Sequence, residues 1–454
     1  MDYGEKNILV LGAGSSGIGA AWVLAQLHAN VVLNDYKSVE FESSTRKKLD
    51  DAGVTIITGR QDNSLLNGVD RIVISPGIAL SIPIVQEAFN RHIEVVSEVE
   101  LAYDVCKSPI LGVTGTNGKT TTTTLLTQVM ESTGLPIKVG GNIGDSLSEA
   151  AFNMPEGGYL IAELSSYQLE TIKSFCPLGA IVLNVTPDHL ARHKTMENYA
   201  AAKARIFMNQ NAENFVVLND DDPIVAAMKK DVHSKILSIS QHHKVECGAY
   251  FEGNTCYAVL DGNVISVIDT EQIHIKGAHN IENILSVIAL TYALGVDVER
   301  IKRTIENFHG VEHRLERVTT IHDVTFYNDS KATNTDSVVK ALDAFDKPVI
   351  LLAGGHDKMT PLEDFMNVVK ENTKEVIFMG EAAERFESVA TKVGVTNIHR
   401  AQSMKEAVEL GYKLAEPSDI VLLSPACSSF DWYSCFEERG DDFKKCVKEL
   451  EERG

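Results

Sequence analysis

The run Ile110-Leu111-Gly112-Val113-Thr114-Gly115-Thr116-Asn117-Gly118-Lys119-Thr120-Thr121 constrains this chain more than any other stretch. An apolar segment of strand type leads into a loop of small residues. Leu125, Leu126, Val129 and Met130 then recur at helical spacing. Strand, glycine loop and helix in that order aim backbone N–H groups and a helix N-terminus at phosphate. In such a loop Lys119 reaches the terminal phosphates and the Thr120 hydroxyl takes the accompanying Mg²⁺. The spelling departs from G-x-x-x-x-G-K-[ST], because the first glycine stands at Gly112 and not at Val113.

At 454 residues the chain exceeds one ordinary core, and roughly 150 residues per domain predicts three. The formal charge of −21 excludes a broad nucleic-acid surface, which needs a basic patch, but not a nucleotide held by a local loop. Seven scattered cysteines contain no C-x-x-C pair, so neither a zinc site nor a redox motif is expected, and the odd count fits a reducing cytoplasm. No apolar run reaches the roughly 18 residues of a membrane helix, so no membrane insertion is expected.

Strands and helices alternate in three blocks, which predicts an α/β protein with mostly parallel sheets. The blocks are residues 1–97, 98–310 and 311–454. The first opens with Ile8–Leu11, a glycine turn and a helix over 18–27. The second has strands at 159–162, 180–183 and 215–218 and an alternating stretch over 250–275, which reads as a small antiparallel addition. The third has strands at 325–327, 349–352, 376–378 and 420–423.

Gly12-Ala13-Gly14-Ser15-Ser16-Gly17 fits G-x-G-x-x-G after a strand, and Asp35 ends the next strand. The pattern fits NAD, FAD or another diphosphate equally, and a tight turn needs no ligand at all. Glu163, at the end of a buried strand, is placed for Mg²⁺, whereas Glu170 reads as a solvated capping acid. His189, in Asn184-Val185-Thr186-Pro187-Asp188-His189, ends a neighbouring strand and offers a second metal ligand. Lys203, among alanines on a predicted helix, reads from its spacing as an ordinary exposed lysine. Asn328 to Asn334 and Leu423 to Asp431 are polar loops at two strand ends, where open α/β sheets bind ligands. Ser429 has no G-x-S-x-G elbow, and Cys427 reads as a small buried thiol.

Together these segments closely resemble the Mur ligases over essentially the whole chain. The resemblance runs through Thr114 to Thr120, Gly140-Gly141-Asn142-Ile143-Gly144, Glu163 to Glu170, Asn184 to His189 and His279-Asn280-Ile281-Glu282-Asn283. Within that family, Asn328 to Asn334 and Ser424 to Phe436, followed by Glu437-Glu438-Arg439-Gly440, are similar to the branch that adds D-glutamate to UDP-N-acetylmuramoyl-L-alanine. The resemblance implies a Rossmann-like N-terminal domain for UDP, a P-loop-type central ATPase domain and a Rossmann-like C-terminal domain for the amino acid. It implies a cytoplasmic monomer acting on small molecules with ATP and two Mg²⁺ ions.

Carried over by position, Gly115, Thr116, Asn117, Gly118, Lys119, Thr120, Thr121, Asn283, Arg314 and Asp329 would contact ATP. Thr120 and Glu163 would hold one Mg²⁺, and His189 a second with a carbamylated Lys203. The UDP end would meet Ser15, Asp35, Tyr36, Ser75 and Gly77, and the muramoyl end Asn142, Ser165 and Gln168. D-glutamate would lie among Lys331, Thr333, Lys358, Ser429, Phe430 and Phe436. Ala191 stands where the family commonly has Asp. Three alternatives stay open on the residues alone: a sister ligase of Mur or folylpolyglutamate type, an NAD-dependent dehydrogenase resting on the glycine turn and Asp35, and a non-catalytic nucleotide-binding regulator.

Overall fold

The structure is a computed structural model that describes residues 3–143, 145–275, 277–357, 359 and 361–453. Three sheets carry the fold. The first comprises β1 (Asn7–Leu11), β2 (Asn30–Asp35), β3 (Thr55–Thr58), β4 (Arg71–Ile74) and β5 (Glu94–Ser97), all parallel in the order β3-β2-β1-β4-β5. The second comprises β6 (Ile110–Thr114), β7 (Ile137–Gly141), β8 (Tyr159–Glu163), β9 (Gly179–Val182), β10 (Phe215–Asn219), β11 (Lys235–Ser240), β12 (Gly248–Glu252), β13 (Thr255–Leu260) and β14 (Asn263–Asp269). Its order is β14-β13-β12-β11-β10-β9-β6-β8-β7, antiparallel only from β12 to β14. The alternating stretch therefore extends the central sheet, because β12 pairs parallel with β11.

The third sheet comprises β15 (Glu316–Ile321), β16 (Val324–Asn328), β17 (Val349–Gly354), β18 (Thr373–Met379), β19 (Ile398–Ala401) and β20 (Ile420–Leu423) in the order β15-β16-β20-β17-β18-β19. Only β15 runs antiparallel to its neighbour. By compactness the chain forms two units. One is 1–273 with 278–308, holding the first two sheets; the other is 274–277 with 309–454, holding the third.

The central strands β1, β6, β9 and β17 are buried along nearly their whole length, as apolar strands covered by helices on both faces must be. This topology decides where polar side chains can go. The glycine turn follows β1, Asp35 ends β2, and Ser75 follows β4. The phosphate loop follows β6, Asn142 follows β7, Glu163 ends β8, and Asn184 follows β9. In the other unit Asn328 ends β16 and Ser424 follows β20. Each lies at the carboxyl end of a parallel strand, where backbone groups and helix N-termini are free to meet a ligand. The first helix begins at Ser15 and not at Ile18, since small residues fill its first turn. Among the described residues no helix is long and apolar enough to cross a membrane.

The helix Glu98–Val105 ties the first two sheets together through buried carboxylates. Glu98 accepts from the Ser148 N–H and hydroxyl, both at 2.9 Å. Glu100 accepts from the N–H groups of Lys173 (2.8 Å), Ser174 (2.6 Å) and Phe175 (3.2 Å), and from the Ser174 hydroxyl. Removing this buried acceptor leaves three backbone N–H groups, that of Phe175 buried, without it. Glu100→Ala should destabilise the first unit by about 3 kcal/mol, read as a lower urea midpoint. A midpoint equal to wild type would refute this role.

Candidate active site

The phosphate loop is shaped by its neighbours across the sheet. Thr116 N–H donates to the Asn184 carbonyl at 2.9 Å, and Asn117 N–H donates to Asn184 Oδ1 at 2.8 Å. Gly118 takes φ = 82°, a left-handed conformation that glycine adopts without cost, and starts the helix Lys119–Glu131. A Cβ at that position would lie 2.3 Å from Asn283 Oδ1, so the loop and the Asn283 amide fit only around a glycine. Asn283 also accepts from the Thr122 hydroxyl at 3.1 Å, which locks it against the helix.

Lys119 folds back over the loop. Its Nζ donates to the carbonyls of Gly115 (3.0 Å) and Thr116 (2.9 Å). Lys203 Nζ donates to the same Gly115 carbonyl at 2.6 Å and lies 4.5 Å from the Tyr199 ring centre. The exposed-lysine reading is therefore wrong. Lys203 is 1% exposed, because the helix Met196–Ala204 turns it inward onto the loop after β6. Burial, reinforced by the Lys119 charge, holds its amine well below the usual lysine range.

Glu163 ends β8, which pairs with β6, and His189 lies in the segment after β9, the strand on the other side of β6. Glu163 is buried and its Oε1 accepts from Asn142 Nδ2 at 2.8 Å, while Oε2 has no hydrogen-bond partner. A buried carboxylate oxygen left open is what a divalent cation would complete. His189 takes a left-handed backbone (φ = 53°) before the short helix Leu190–His193. Burial pushes its imidazole below the usual range, with Lys203 and Lys119 adding to the shift and Asp188 opposing it. The neutral ring is the form that binds metal. The carboxylate of Glu163 and the hydroxyl of Thr120 are the oxygen donors Mg²⁺ takes, and the His189 imidazole adds a nitrogen donor. Ser165 caps the turn Ser166–Leu169 by a reciprocal pair with Gln168, whose Nε2 is buried without a partner.

At the first sheet Gly12 adopts φ = 100°, and a Cβ on Gly17 would come within 1.8 Å of the Gly12 carbonyl oxygen. Asp35 holds this turn. Its two carboxylate oxygens accept from Ala13 N–H and Lys37 N–H, both at 2.9 Å. Ser75 Oγ donates to the Gly12 carbonyl at 3.3 Å. The helix Ser15–Gln26 has no side-chain cap, so its first amides stay available to an anion. Ser15, Tyr36 and Gly77 are exposed around it.

In the second unit Asp329 is fully buried. It accepts from the Ser424 hydroxyl at 2.6 Å and from Leu315 N–H at 3.2 Å. Burial raises its pKa to about 7 against the lowering effects of Ser424, Arg314 and the Leu315 N–H. Ser330 Oγ donates to the Phe436 carbonyl at 2.7 Å, and Lys331 Nζ lies 5.6 Å from the Phe436 ring centre. Ser429 is buried and Phe430 is exposed; Thr333 is half-buried. Lys358 lies outside the described residues. Arg439 escaped the sequence reading of the site although it stands in Glu437-Glu438-Arg439-Gly440. It is buried and donates to Ser330 Oγ (3.0 Å), the Ser330 carbonyl (2.8 Å) and the Cys427 carbonyl (3.1 Å), clamping the two substrate-type loops together.

Glu170 is also not the solvated acid its position suggests. It pairs with Arg192, and His193 lies 3.5 Å away. Arg192 and His193 were not singled out from the sequence, because nothing in the run after His189 distinguishes them from a solvated helical turn.

Family models match the chain in order. They are the Mur ligase MurD-like N-terminal domain over residues 6–97, the Mur ligase middle domain over 113–291 and the Mur ligase glutamate ligase domain over 313–427. The chain is 41% identical over 452 residues to a protein of Thermoanaerobacter pseudethanolicus named UDP-N-acetylmuramoylalanine–D-glutamate ligase, covering 99% of this chain and 100% of that one. A relative of the same name from Clostridioides difficile is 39% identical over 455 residues, again covering 99% and 100%. Among solved structures, the UDP-N-acetylmuramate–alanine ligase of Thermotoga maritima superposes with a TM-score of 0.60 at 18% identity, covering 98% of this chain and 99% of that one. MurF of Acinetobacter baumannii gives 0.60 at 17% identity, covering 97% and 94%. At such identities these two structures speak to the fold.

The raised Asp329 pKa makes a pH prediction. The folded chain keeps this proton at pH values where the unfolded chain, with a carboxyl near ~3.9, has released it. The group's stabilisation is therefore full below about pH 4 and is lost as pH rises through about 7. Asp329→Asn should flatten the decline in the second unit's urea midpoint between pH 5 and pH 8. Identical slopes in wild type and variant would contradict the assignment.

Proposed function

The chain belongs to the Mur ligase family, and we propose that it joins the amine of D-glutamate to the L-alanyl carboxylate of UDP-N-acetylmuramoyl-L-alanine while ATP becomes ADP and phosphate. This is a step of peptidoglycan precursor synthesis, carried out by a monomer in the cytoplasm. Full-length similarity at about two residues in five to D-glutamate ligases supports the substrate pair. It sets aside the dehydrogenase, regulator and sister-ligase readings. The observation that carries the chemistry is the convergence of Lys119 and Lys203 on the Gly115 carbonyl after β6, with the open oxygen of a buried Glu163 at the end of the paired strand β8.

A carboxylate does not condense with an amine in water at useful rates, so it must first be phosphorylated. Transfer of a γ-phosphoryl group depends on positioning and on neutralising its oxygens. In this role Lys119 exchanges its two loop carbonyls for phosphate oxygens, and the N–H groups of Gly115 to Thr121 cradle the chain of phosphates. Asn283, packed against Gly118 and Thr122, is assigned to ATP, as are Arg314 and Asp329. Thr120 and Glu163 would hold one Mg²⁺, and His189 with Lys203 a second, which together supply charge neutralisation and Lewis acidity when bound. Lys203 suits this only once modified. Its neutral amine adds to CO₂, an N–C bond forms, one N–H proton leaves to solvent, and a carbamate anion replaces a would-be cation.

The acyl phosphate on the L-alanyl carboxylate is then attacked by the D-glutamate amine, with phosphate as the leaving group. Ser15, Asp35, Tyr36, Ser75 and Gly77 are assigned to the UDP end, and Asn142, Ser165 and Gln168 to the muramoyl end. Lys331, Thr333, Lys358, Ser429, Phe430 and Phe436 are assigned to D-glutamate, whose two carboxylates need cationic and hydroxyl partners.

Phosphate release with UDP-N-acetylmuramoyl-L-alanine and a panel of amino acids tests this reading. Release should require D-glutamate, with L-glutamate, L-alanine and diamino acids inert. Turnover of L-alanine or a diamino acid in its place would overturn the substrate assignment. Lys119→Ala should lower kcat by about 10²–10³-fold or more in a folded protein, and near-normal turnover would remove Lys119 from the ATP site. Lys203→Ala should lose activity and regain part of it with acetate, whose carboxylate can occupy the vacated space. An unimpaired variant would exclude the carbamate.

A further inference from the structure

Arg192 joins two parts of the first unit that the reaction must hold in register. Its Nη1 donates to the Pro76 carbonyl at 2.9 Å and its Nη2 to the Ile78 carbonyl at 3.0 Å. Both carbonyls belong to the turn after β4, where Ser75 meets the glycine turn. The opposite edge of the guanidinium grips Glu170, with Nε at 3.1 Å from Oε1 and Nη2 at 2.5 Å from Oε2. Its plane also covers the Tyr167 ring at 4.3 Å. The same Tyr167 ring lies 4.9 Å from the His189 ring and 5.4 Å from His193. His193 is anchored in turn by Ser166 Oγ at 2.9 Å.

The segment that carries His189 has the backbone bonds of a single turn, with Arg192 N–H and His193 N–H donating to the His189 carbonyl and Lys194 N–H to that of Leu190. Leu190–His193 is one helical turn between two non-glycine residues with left-handed backbones, His189 (φ = 53°) and Lys194 (φ = 70°). Such conformations persist only where the surroundings over-determine them. Side-chain contacts that fix this turn include those of Arg192 with Glu170 and Tyr167 and of His193 with Ser166.

We propose that Arg192 is a positioning residue that sets the UDP-binding turn at 75–78 in register with His189, acting through Glu170 and Tyr167. Its guanidinium is taken up by the Pro76 and Ile78 carbonyls and the Glu170 carboxylate, so it acts through these groups. Its guanidinium is suited to the task because one planar group satisfies two carbonyls and a carboxylate at once, which a lysine ammonium cannot do. The inference rests on the ligase reading above for what the two parts bind.

The test uses the full-length protein. In Arg192→Ala the KM for UDP-N-acetylmuramoyl-L-alanine should rise about tenfold and kcat fall about tenfold, while the KM values for ATP and D-glutamate stay within about twofold. Arg192→Lys should resemble Arg192→Ala. Glu170→Gln, which keeps the shape and removes the charge, should show the same split at smaller size and serves if Arg192→Ala fails to fold. A folded Arg192→Ala protein with unchanged kcat and UDP-substrate KM would overturn the proposal. So would equal rises in all three KM values, which mark a general loss of integrity. Calorimetry with UDP alone needs no turnover and separates the two readings. A several-fold weaker UDP Kd in Arg192→Ala supports the proposal even if D-glutamate is not the substrate, and an unchanged Kd contradicts it.

Discussion

Two lysine side chains, Lys119 and Lys203, donate to one acceptor, the Gly115 carbonyl oxygen, at 3.0 and 2.6 Å. Two ammonium groups so close, one of them buried, cannot both hold their charge comfortably, and the more deeply buried Lys203 is the one that yields. The rest of the central site answers this conflict. The bound state needs negative charge beside Lys119, which phosphate oxygens provide. The proposed carbamate requires Lys203 to be neutral first, and burial holds its amine well below the usual lysine range. Glu163, with one oxygen bonded to Asn142 and the other open, keeps an anionic position ready on the neighbouring strand.

The same logic runs through the other strand ends. A buried polar group is stable only where something bonds it, and parallel sheets offer such partners at their carboxyl ends. Asp35 bonds the backbone on both sides of its turn. In the second unit Arg439 is held by the oxygens of Ser330 and Cys427. Its charge is thereby matched by dipoles, and burial brings its pKa down to about 10. The loops it clamps are those assigned to an amino acid with two carboxylates.

Much of this was legible in the sequence because the decisive signals are local. The phosphate loop, the glycine turn and the polar residues just past apolar strands each need only a short window. Strands such as β7, with Lys138 and two glycines, and β19, with His399 and Arg400, carry too little apolar pattern to stand out. The burial of Lys203 was not legible, because its partner Gly115 lies 88 positions away and the intervening sequence does not reveal that the helix turns inward. Arg192 was hidden for the same reason. Its carbonyl partners lie 116 and 114 positions earlier, and the run around it reads as a solvated turn. The resemblance implied a carbamylated Lys203, and the geometry shows that its amine is buried and held below the usual lysine range.

The proposed reaction requires this site to activate a carboxylate as an acyl phosphate before any amino acid joins. The direct measurement is borohydride trapping with ATP and UDP-N-acetylmuramoyl-L-alanine in the absence of D-glutamate. After acid hydrolysis, alaninol should be recovered from the reduced L-alanyl group, in smaller amount when D-glutamate is added. No alaninol above a control without ATP, under conditions where D-glutamate-dependent phosphate release proceeds, would contradict it.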